Sequence, residues 1–442
     1  MDIVKAYPRK QFFVEMLTRD ISLEDCILDL TDNSIDSLLR TERLDIEKAV
    51  LGRSSGRRNN QKRRIKIKYD ADKFSIEDDC GGIPREHAEN DVFCFGPTSG
   101  AEPGKLGIYG IGLKRAILKL GETAEVISGT SEGAFRVAIN LKQWLKKDAS
   151  LDDWTFPIAS VQDAHRWTGR TSVRVTGLHP EVSQRLRQST LASSLRRAIA
   201  QTYAVFLRDY VSIEMNGIDI EPEDIPIGSS DEISPGVERF QKDGVRVVIM
   251  VSLAAANHRR QELAGWYVLC NGRVVVRADK TELTGWGGGG GLPSFHSKYI
   301  GFVGLALFVA DHPERLPWTT TKRGLNRETA VYQEAVGRMS VLAKPVISFL
   351  NRLYPSDPAE SAPQRALAEN VKAVGDMREL LNKPSALFRV AQTSAAPRST
   401  RIQYDALLKD VDRIRQHLRK SGMSASAVGL HTFNHYLKTE CP

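Results

Sequence analysis

Cysteine is scarce. The chain has five, Cys26, Cys80, Cys94, Cys270 and Cys441, scattered along 442 residues. No two stand in C-x-x-C spacing, which argues against structural zinc and against a disulfide framework. A reducing cytoplasm is the simplest home for such a chain. Long apolar runs are missing too. No stretch approaches the ~18 uninterrupted apolar residues of a membrane helix, so no membrane contact is expected. The N-terminus, MDIVKAYPRKQFF, lacks the apolar core of a signal peptide. Neither sign of charge dominates: 62 Lys and Arg against 54 Asp and Glu leave +8. That favours an acidic partner such as DNA only mildly. The densest basic run, GRSSGRRNNQKRR at 52–64, contains no acid. It reads either as a solvated loop between helix and strand or as a contact to a phosphate backbone. The five-glycine patch in WGGGGGLP, 286–293, has no Lys, Ser or Thr placed for phosphate binding. It opens no helix and reads as a flexible loop.

What is present is enough for two or three domains with an ordinary core. Residues 22–40 predict an amphipathic helix, with Leu23, Ile27, Leu28, Leu30, Ile35, Leu38 and Leu39 on one arc. Asp29, Asn33 and Asp36 fall opposite, with Asp32 at the edge, and Ser22 is the expected N-cap. RIKIKYD and KFSIEDD alternate as a hairpin. A glycine-rich segment runs to Gly112, followed by the helix LKRAILKL and the strands TAEVIS, AFRVAINL and TSVRVTGL. The pattern predicts an α+β fold, a mixed sheet with helices on one face. A second unit begins near residue 180, with the helix LASSLRRAIAQTYAVFL, several strands and a long helix from about Asn326 to Leu353. The Pro/Ser-rich YPSDPAESAP reads as a linker to a helical tail that breaks again at TSAAPRST. The expected domains are therefore 1–180, 181–354 and 355–442.

The stretch DLTDNSIDS, 29–37, crowds three acids and an amide into two turns. Asp29 and Asn33, four apart, share a face. An amide oxygen there can hold Mg²⁺, a hard cation that prefers oxygen ligands. The carboxylate can take a proton from water attacking a phosphate that the cation polarises. Taken alone, the same pattern is an acidic solvent face, and Asp32 and Asp36 read as structural or as outer support for the metal. In IEDDCGGIP, 76–84, Asp78 can accept from an exocyclic amine, and Gly82 lets a flat base approach the backbone. GKLGIYGIGLKRA, 104–116, is a glycine loop that opens a helix, which suits phosphates. It is neither a Walker A loop nor a dinucleotide fingerprint. Lys105, Lys114 and Arg115 add positive charge.

In this order and spacing the three stretches resemble the GHKL, or Bergerat-fold, ATPases, which include gyrase, heat-shock chaperones, histidine kinases, MutL and the MORC proteins. DLTDN looks like the E-x-x-x-N motif, DDCGG like D-x-G-x-G, GIYGIG like G-x-x-G-x-G, and GRTSVRVTGL, 169–178, like the final threonine motif. The resemblance implies ATP and Mg²⁺ as cofactors and a two-layer α/β sandwich. It implies Asp29 as general base, Asn33 as metal ligand and Asp78 as reader of adenine, with Gly82 and Ile83 against the base. Gly107, Tyr109, Gly110, Ile111, Gly112, Leu113 and Lys114 would form the phosphate side of an ATP lid over 84–112, and Thr171 would support the adenine contact. Two positions depart from the pattern: Asp29 stands for the usual Glu, shorter by one C–C bond, and Cys80 stands for the first glycine.

GWYVLCNGRVVV and LPWTTTKRGLN resemble the transducer domain that follows the ATPase in gyrase and MutL. This implies Lys322, with Arg323 the weaker choice, as a cation reaching the terminal phosphate. The implied protein is a slow ATPase that dimerises on ATP. It would work as a clamp on DNA or on a protein partner, in DNA processing, repair or antiviral defence. The C-terminal helical region would offer a docking surface. Two other classes stand beside it: a nucleotide-gated switch with little turnover, and a chaperone-like ATPase.

Overall fold

The computed structural model describes residues 8–52, 61–96, 105–107, 110–147, 150–287, 289, 291–353, 362–391 and 402–441. The chain forms two compact units, Met1–Ala391 and Gln392–Pro442. Most of the basic run, the linker after Leu353, the TSAAPRST break and Tyr109 lie outside the described residues.

In the large unit, strands β1 (Arg63–Tyr69), β2 (Lys73–Asp78), β3 (Gly121–Thr130), β4 (Gly133–Asn140), β5 (Ile158–Ser160), β6 (Arg170–Leu178), β7 (Val211–Met215) and β8 (Ile218–Asp219) form one sheet. Its order is β5-β4-β3-β6-β2-β1-β7-β8. The β1–β7 pair is parallel and the others are antiparallel, so the sheet is mixed. Period-two alternation gives it two different faces. Ile65, Ile67, Phe74, Ile76, Val126, Val173 and Val175 are buried beneath helices, while Lys68, Glu77 and Arg174 point to the open side. This bears out the expected mixed α/β sheet. The sheet also takes β7 and β8 from beyond residue 180.

The helix Leu23–Thr41 begins at Ser22 in a complete capping box with Asp25. Nearly every residue from Leu23 to Leu39 is buried, and Asn33 is an exposed exception. The acids therefore do not make a solvent face. This helix packs against Gly112–Leu120, whose amphipathic stripe includes Leu113, Ala116 and Ile117.

The second half carries β9 (Gly228–Ser229), β10 (Ile233–Ser234), β11 (Gly236–Lys242), β12 (Val245–Leu253), β13 (Gly265–Cys270), β14 (Arg273–Asp279), β15 (Phe302–Val309), β16 (Lys372–Ala373) and β17 (Arg389–Val390). Five of them form a sheet in the order β11-β12-β15-β13-β14. β13, β15 and most of β12 are buried residue after residue, which is why their sequences read as continuous apolar runs. The helix Ala330–Arg352 covers the sheet. It starts later than the sequence suggests, because Asn326 is held by the Pro317 carbonyl in the preceding loop. β16 pairs with β9 and β17 with β10, so residues 372–390 stay with the large unit.

The small unit holds two helices, Leu408–His417 and Ala425–Glu440, the second capped by Ser424. Among the described residues, no helix is long and apolar enough to cross a membrane.

Candidate functional site

The helix Leu23–Thr41, the turn after β2, the start of Gly112–Leu120, β6 and the Thr320–Lys322 loop together enclose a cavity of about 400 Å³. Its wall includes Asp29, Asn33, Asp78, Ile83, Gly107, Gly110, Ile111, Gly112, Leu113, Lys114, Thr171 and Lys322. Gly82, expected against the base, is not among the lining residues.

One end is walled by Asp78, Ile83 and Thr171. Asp78 ends β2 and lies opposite Thr171 across the β2–β6 ladder. Its carboxylate accepts from the Ser34 hydroxyl at 2.7 Å and from the Cys80 N–H at 3.0 Å. Burial pushes its pKa up to about 6 against those hydrogen bonds. The Thr171 hydroxyl meets Ser128 Oγ at 2.8 Å, and Ser128 accepts the Ile83 N–H at 2.8 Å. Gly82, at φ +73°, has its carbonyl held by Ser37 and Arg40. A Cβ there would stand 2.0 Å from the Gly129 carbonyl oxygen. Cys80 is not among the positive-φ residues. Its backbone needs no glycine, which explains how a side chain fills that motif position. Its thiol is buried and its pKa is raised well above the ordinary value by that burial.

The other end is crowded with charge. Asp36 reaches the lid, accepting the N–H of Leu106 at 2.6 Å and of Gly107 at 2.8 Å. Burial raises its pKa to about 6. Gly107 thus spends its N–H on a carboxylate in this state. Gly112 opens its helix so close to Asp29 that a Cβ would come within 3.3 Å of the Asp29 Cβ. The buried Lys114 donates to the Val92 carbonyl at 2.6 Å, and desolvation lowers its pKa to about 8. Asp29 accepts from Arg115 at 2.5 Å.

Asp32 is fully buried. It takes Lys322 Nζ at 2.6 Å, Arg273 Nε at 3.1 Å and the Tyr203 hydroxyl at 2.6 Å. Burial alone would raise its pKa, but the two cations outweigh it and hold Asp32 below the ordinary Asp value. Lys322 Nζ also stands 4.0 Å from Asp29. The lysine sits at φ +55°, with its carbonyl accepting from Arg273. Arg323 instead pairs with Asp25 at the helix start.

Sequence reasoning missed Arg273 and Tyr203 altogether and gave Asp32 no definite partner. The signal available was Arg273 in the N-G-R turn of VLCNGRVV. The turn's Asn271, at φ +46°, ties the Lys105 carbonyl to this region at 3.3 Å.

No cluster of three His, Cys, Asp or Glu side chains suited to a metal occurs among the described residues. A hard cation here would therefore depend on the Asn33 amide and on oxygens brought by a ligand and water. The exposed Asn33 at the cavity wall fits that role.

Comparison with known families agrees with this geometry. Residues 21–167 match the family model described as histidine kinase-, DNA gyrase B-, and HSP90-like ATPase. That match supports a GHKL-type ATPase domain in this part of the chain. No curated protein matches the sequence.

Proposed function

We propose that the protein is a Mg²⁺-dependent ATPase of the GHKL type, working as a nucleotide-gated dimeric clamp. The observation that carries the reading is the cavity beside the helix Leu23–Thr41. It gathers residues from six separated sequence segments, from Asp29 at one end to Lys322 at the other.

In this reading residues 1–180, with the lid over 84–112, bind the nucleotide, and 181–354 act as a transducer of the MutL/MORC-like kind. Asp78 accepts from the adenine amine, with Thr171 and Ser128 fixing the neighbouring backbone. Gly82 is required by the close approach of the Gly129 carbonyl, and Ile83 is the neighbour that lines the cavity beside the base. The lid glycines and Lys114 face the phosphates. Asn33 holds Mg²⁺, which when bound neutralises phosphate charge and polarises the terminal group. Asp29 takes the proton from the attacking water. Lys322 leaves Asp32 for the terminal phosphate, an interaction that ADP does not offer, so closure of the second half depends on the nucleotide. The output is dimerisation and capture of DNA or of a protein partner, with roles in DNA processing, repair or defence.

A second reading, a switch with little turnover, is favoured by the Asp29–Arg115 pair, which occupies the base. Turnover of wild type, Asp29→Glu and Asp29→Ala separates the two. A clamp ATPase loses turnover in Asp29→Ala while keeping ATP. Equal, near-zero rates in all three with ATP bound support the switch. Gel filtration with a non-hydrolysable ATP analogue tests the dimer. Salt-dependent DNA binding tests the nucleic-acid partner.

A further inference from the structure

Among the described residues that line the cavity, Arg115 carries a buried side-chain nitrogen with no hydrogen-bond partner. It sits in the first turn of Gly112–Leu120, a helix of nine residues whose N-terminus opens onto the cavity. The residue is 7 % exposed. One terminal nitrogen donates to Asp29 at 2.5 Å, while its Nε is buried with no hydrogen-bond partner. A guanidinium carries five donors in a fixed fork and suits a ligand that can accept two at once. Asp29 uses one edge of that fork.

Three features point the missing acceptor toward an anion from the cavity. The helix N-terminus favours negative charge. Gly112, three residues before Arg115, lies against Asp29 and keeps the approach to the pair open. Lys322 is engaged by Asp32 and Lys114 by the Val92 carbonyl, while Arg115 is hydrogen-bonded to Asp29.

We infer that Arg115 is a terminal-phosphate sensor. It holds Asp29 while the site is empty, then turns its guanidinium to the terminal phosphate of the nucleotide and frees the carboxylate to face water. The shorter Asp at this position suits such a device, because its carboxylate lies against the start of Gly112–Leu120, where Arg115 reaches it. The same movement that registers the third phosphate thus releases the base. The inference rests on the ATP reading above and adds a residue to it.

The test measures affinity for a non-hydrolysable ATP analogue and for ADP, each with Mg²⁺, by calorimetry. The proteins are wild type, Arg115→Met, Arg115→Lys, Asp29→Asn and Asp29→Asn/Arg115→Met. Asp29→Asn removes the competitor for the guanidinium. It is expected to bind the analogue about tenfold tighter than wild type, with ADP changed by less than about threefold. Arg115→Met is expected to lose about tenfold or more on the analogue and little on ADP, and to abolish the gain in the double variant. Arg115→Lys, which keeps the charge but not the fork, should fall between.

A merely structural Arg115 would shift both ligands together. If Asp29→Asn binds the analogue no tighter than wild type, or if Arg115→Met keeps the wild-type ratio of analogue to ADP affinity, the inference is overturned. Should Arg115→Met fail to fold, Asp29→Asn decides alone. Failure of wild type to bind either nucleotide would instead sink the ATP reading.

Discussion

Asp32 offers a perturbation whose size follows from the structure without reference to any ligand. It is 0 % exposed and is the shared counter-charge for Arg273 and Lys322, themselves 2 % and 6 % exposed. Asp32→Asn keeps the shape and removes the charge. Two buried cations then face one another, with Asp29 the nearest remaining carboxylate at 4.0 Å from Lys322. Taking away one member of a buried pair costs about 3–5 kcal/mol, because the partner stays buried without compensation. The Asn oxygen can still accept one hydrogen bond, so the lower half of that range is expected. For a unit spanning Met1–Ala391, with ~2.1 cal/mol/K of unfolding entropy per residue, the loss corresponds to a fall of roughly 4–5 °C in melting temperature. Urea unfolding followed by tryptophan fluorescence measures it. Asp32→Asn/Lys322→Met, which removes one of the stranded cations, is expected to recover about half the loss, a coupling that the double-mutant comparison isolates. If Asp32→Asn lies within about 1 kcal/mol of wild type, the network is not a keystone between the two halves, and the account of Lys322 as a held cation fails.

Gly82→Ala is expected to destabilise the site or abolish nucleotide binding. It places a Cβ 2.0 Å from the Gly129 oxygen at φ +73°, and an unchanged melting temperature together with unchanged binding would refute that. Asp36→Asn cannot accept both lid N–H groups as the carboxylate does. Faster amide exchange at Leu106 and Gly107 is expected, with a local loss of about 1–2 kcal/mol. The pH dependence has opposite signs at different carboxylates. Asp32 sits below its ordinary value, so its contribution to stability is full above that value and is lost as pH falls through the depressed one. Asp36 and Asp78 are raised to about 6. Their contribution is full below the ordinary Asp value and is lost as pH rises through about 6. Nucleotide affinity should move the other way, falling as pH drops below about 6, because a protonated Asp78 accepts from an amine poorly. A flat affinity profile between pH 7 and 5 would contradict the role given to Asp78.

Local chemistry was legible where it is written locally. The Ser22 capping box, the alternation of β1 and β2, the apolar run of β15 and the spacing of Asp29 to Asn33 all follow from neighbours in sequence. Many of the motif residues line the cavity, but so do Ser34, Ser37, Arg40, Val126 and Thr320, which the motifs did not single out. What stayed hidden depends on partners far along the chain. The acids of the helix Leu23–Thr41 read as an outward polar face, yet Asp32 is buried because Arg273, 241 residues away, and Lys322, 290 away, neutralise it. LASSLRRAIAQTYAVFL reads as one helix. The structure breaks it at Tyr203, between Ser189–Thr202 and Ala204–Asp209, where the Tyr203 hydroxyl donates toward the Leu28 carbonyl and Asp32. Nothing in the periodicity of that segment encodes a bond to another helix. Asp36 reaching the lid backbone is likewise a long-range event, 70 positions apart.

Calorimetric titration of Mg²⁺-ATP into the wild type and into Asp78→Asn tests the central claim most directly. The account predicts saturable one-site binding to the wild type and a loss of about tenfold or more in Asp78→Asn, in line with a buried polar contact left unmatched. Absence of binding to the wild type, or equal affinity in the two proteins, would contradict it.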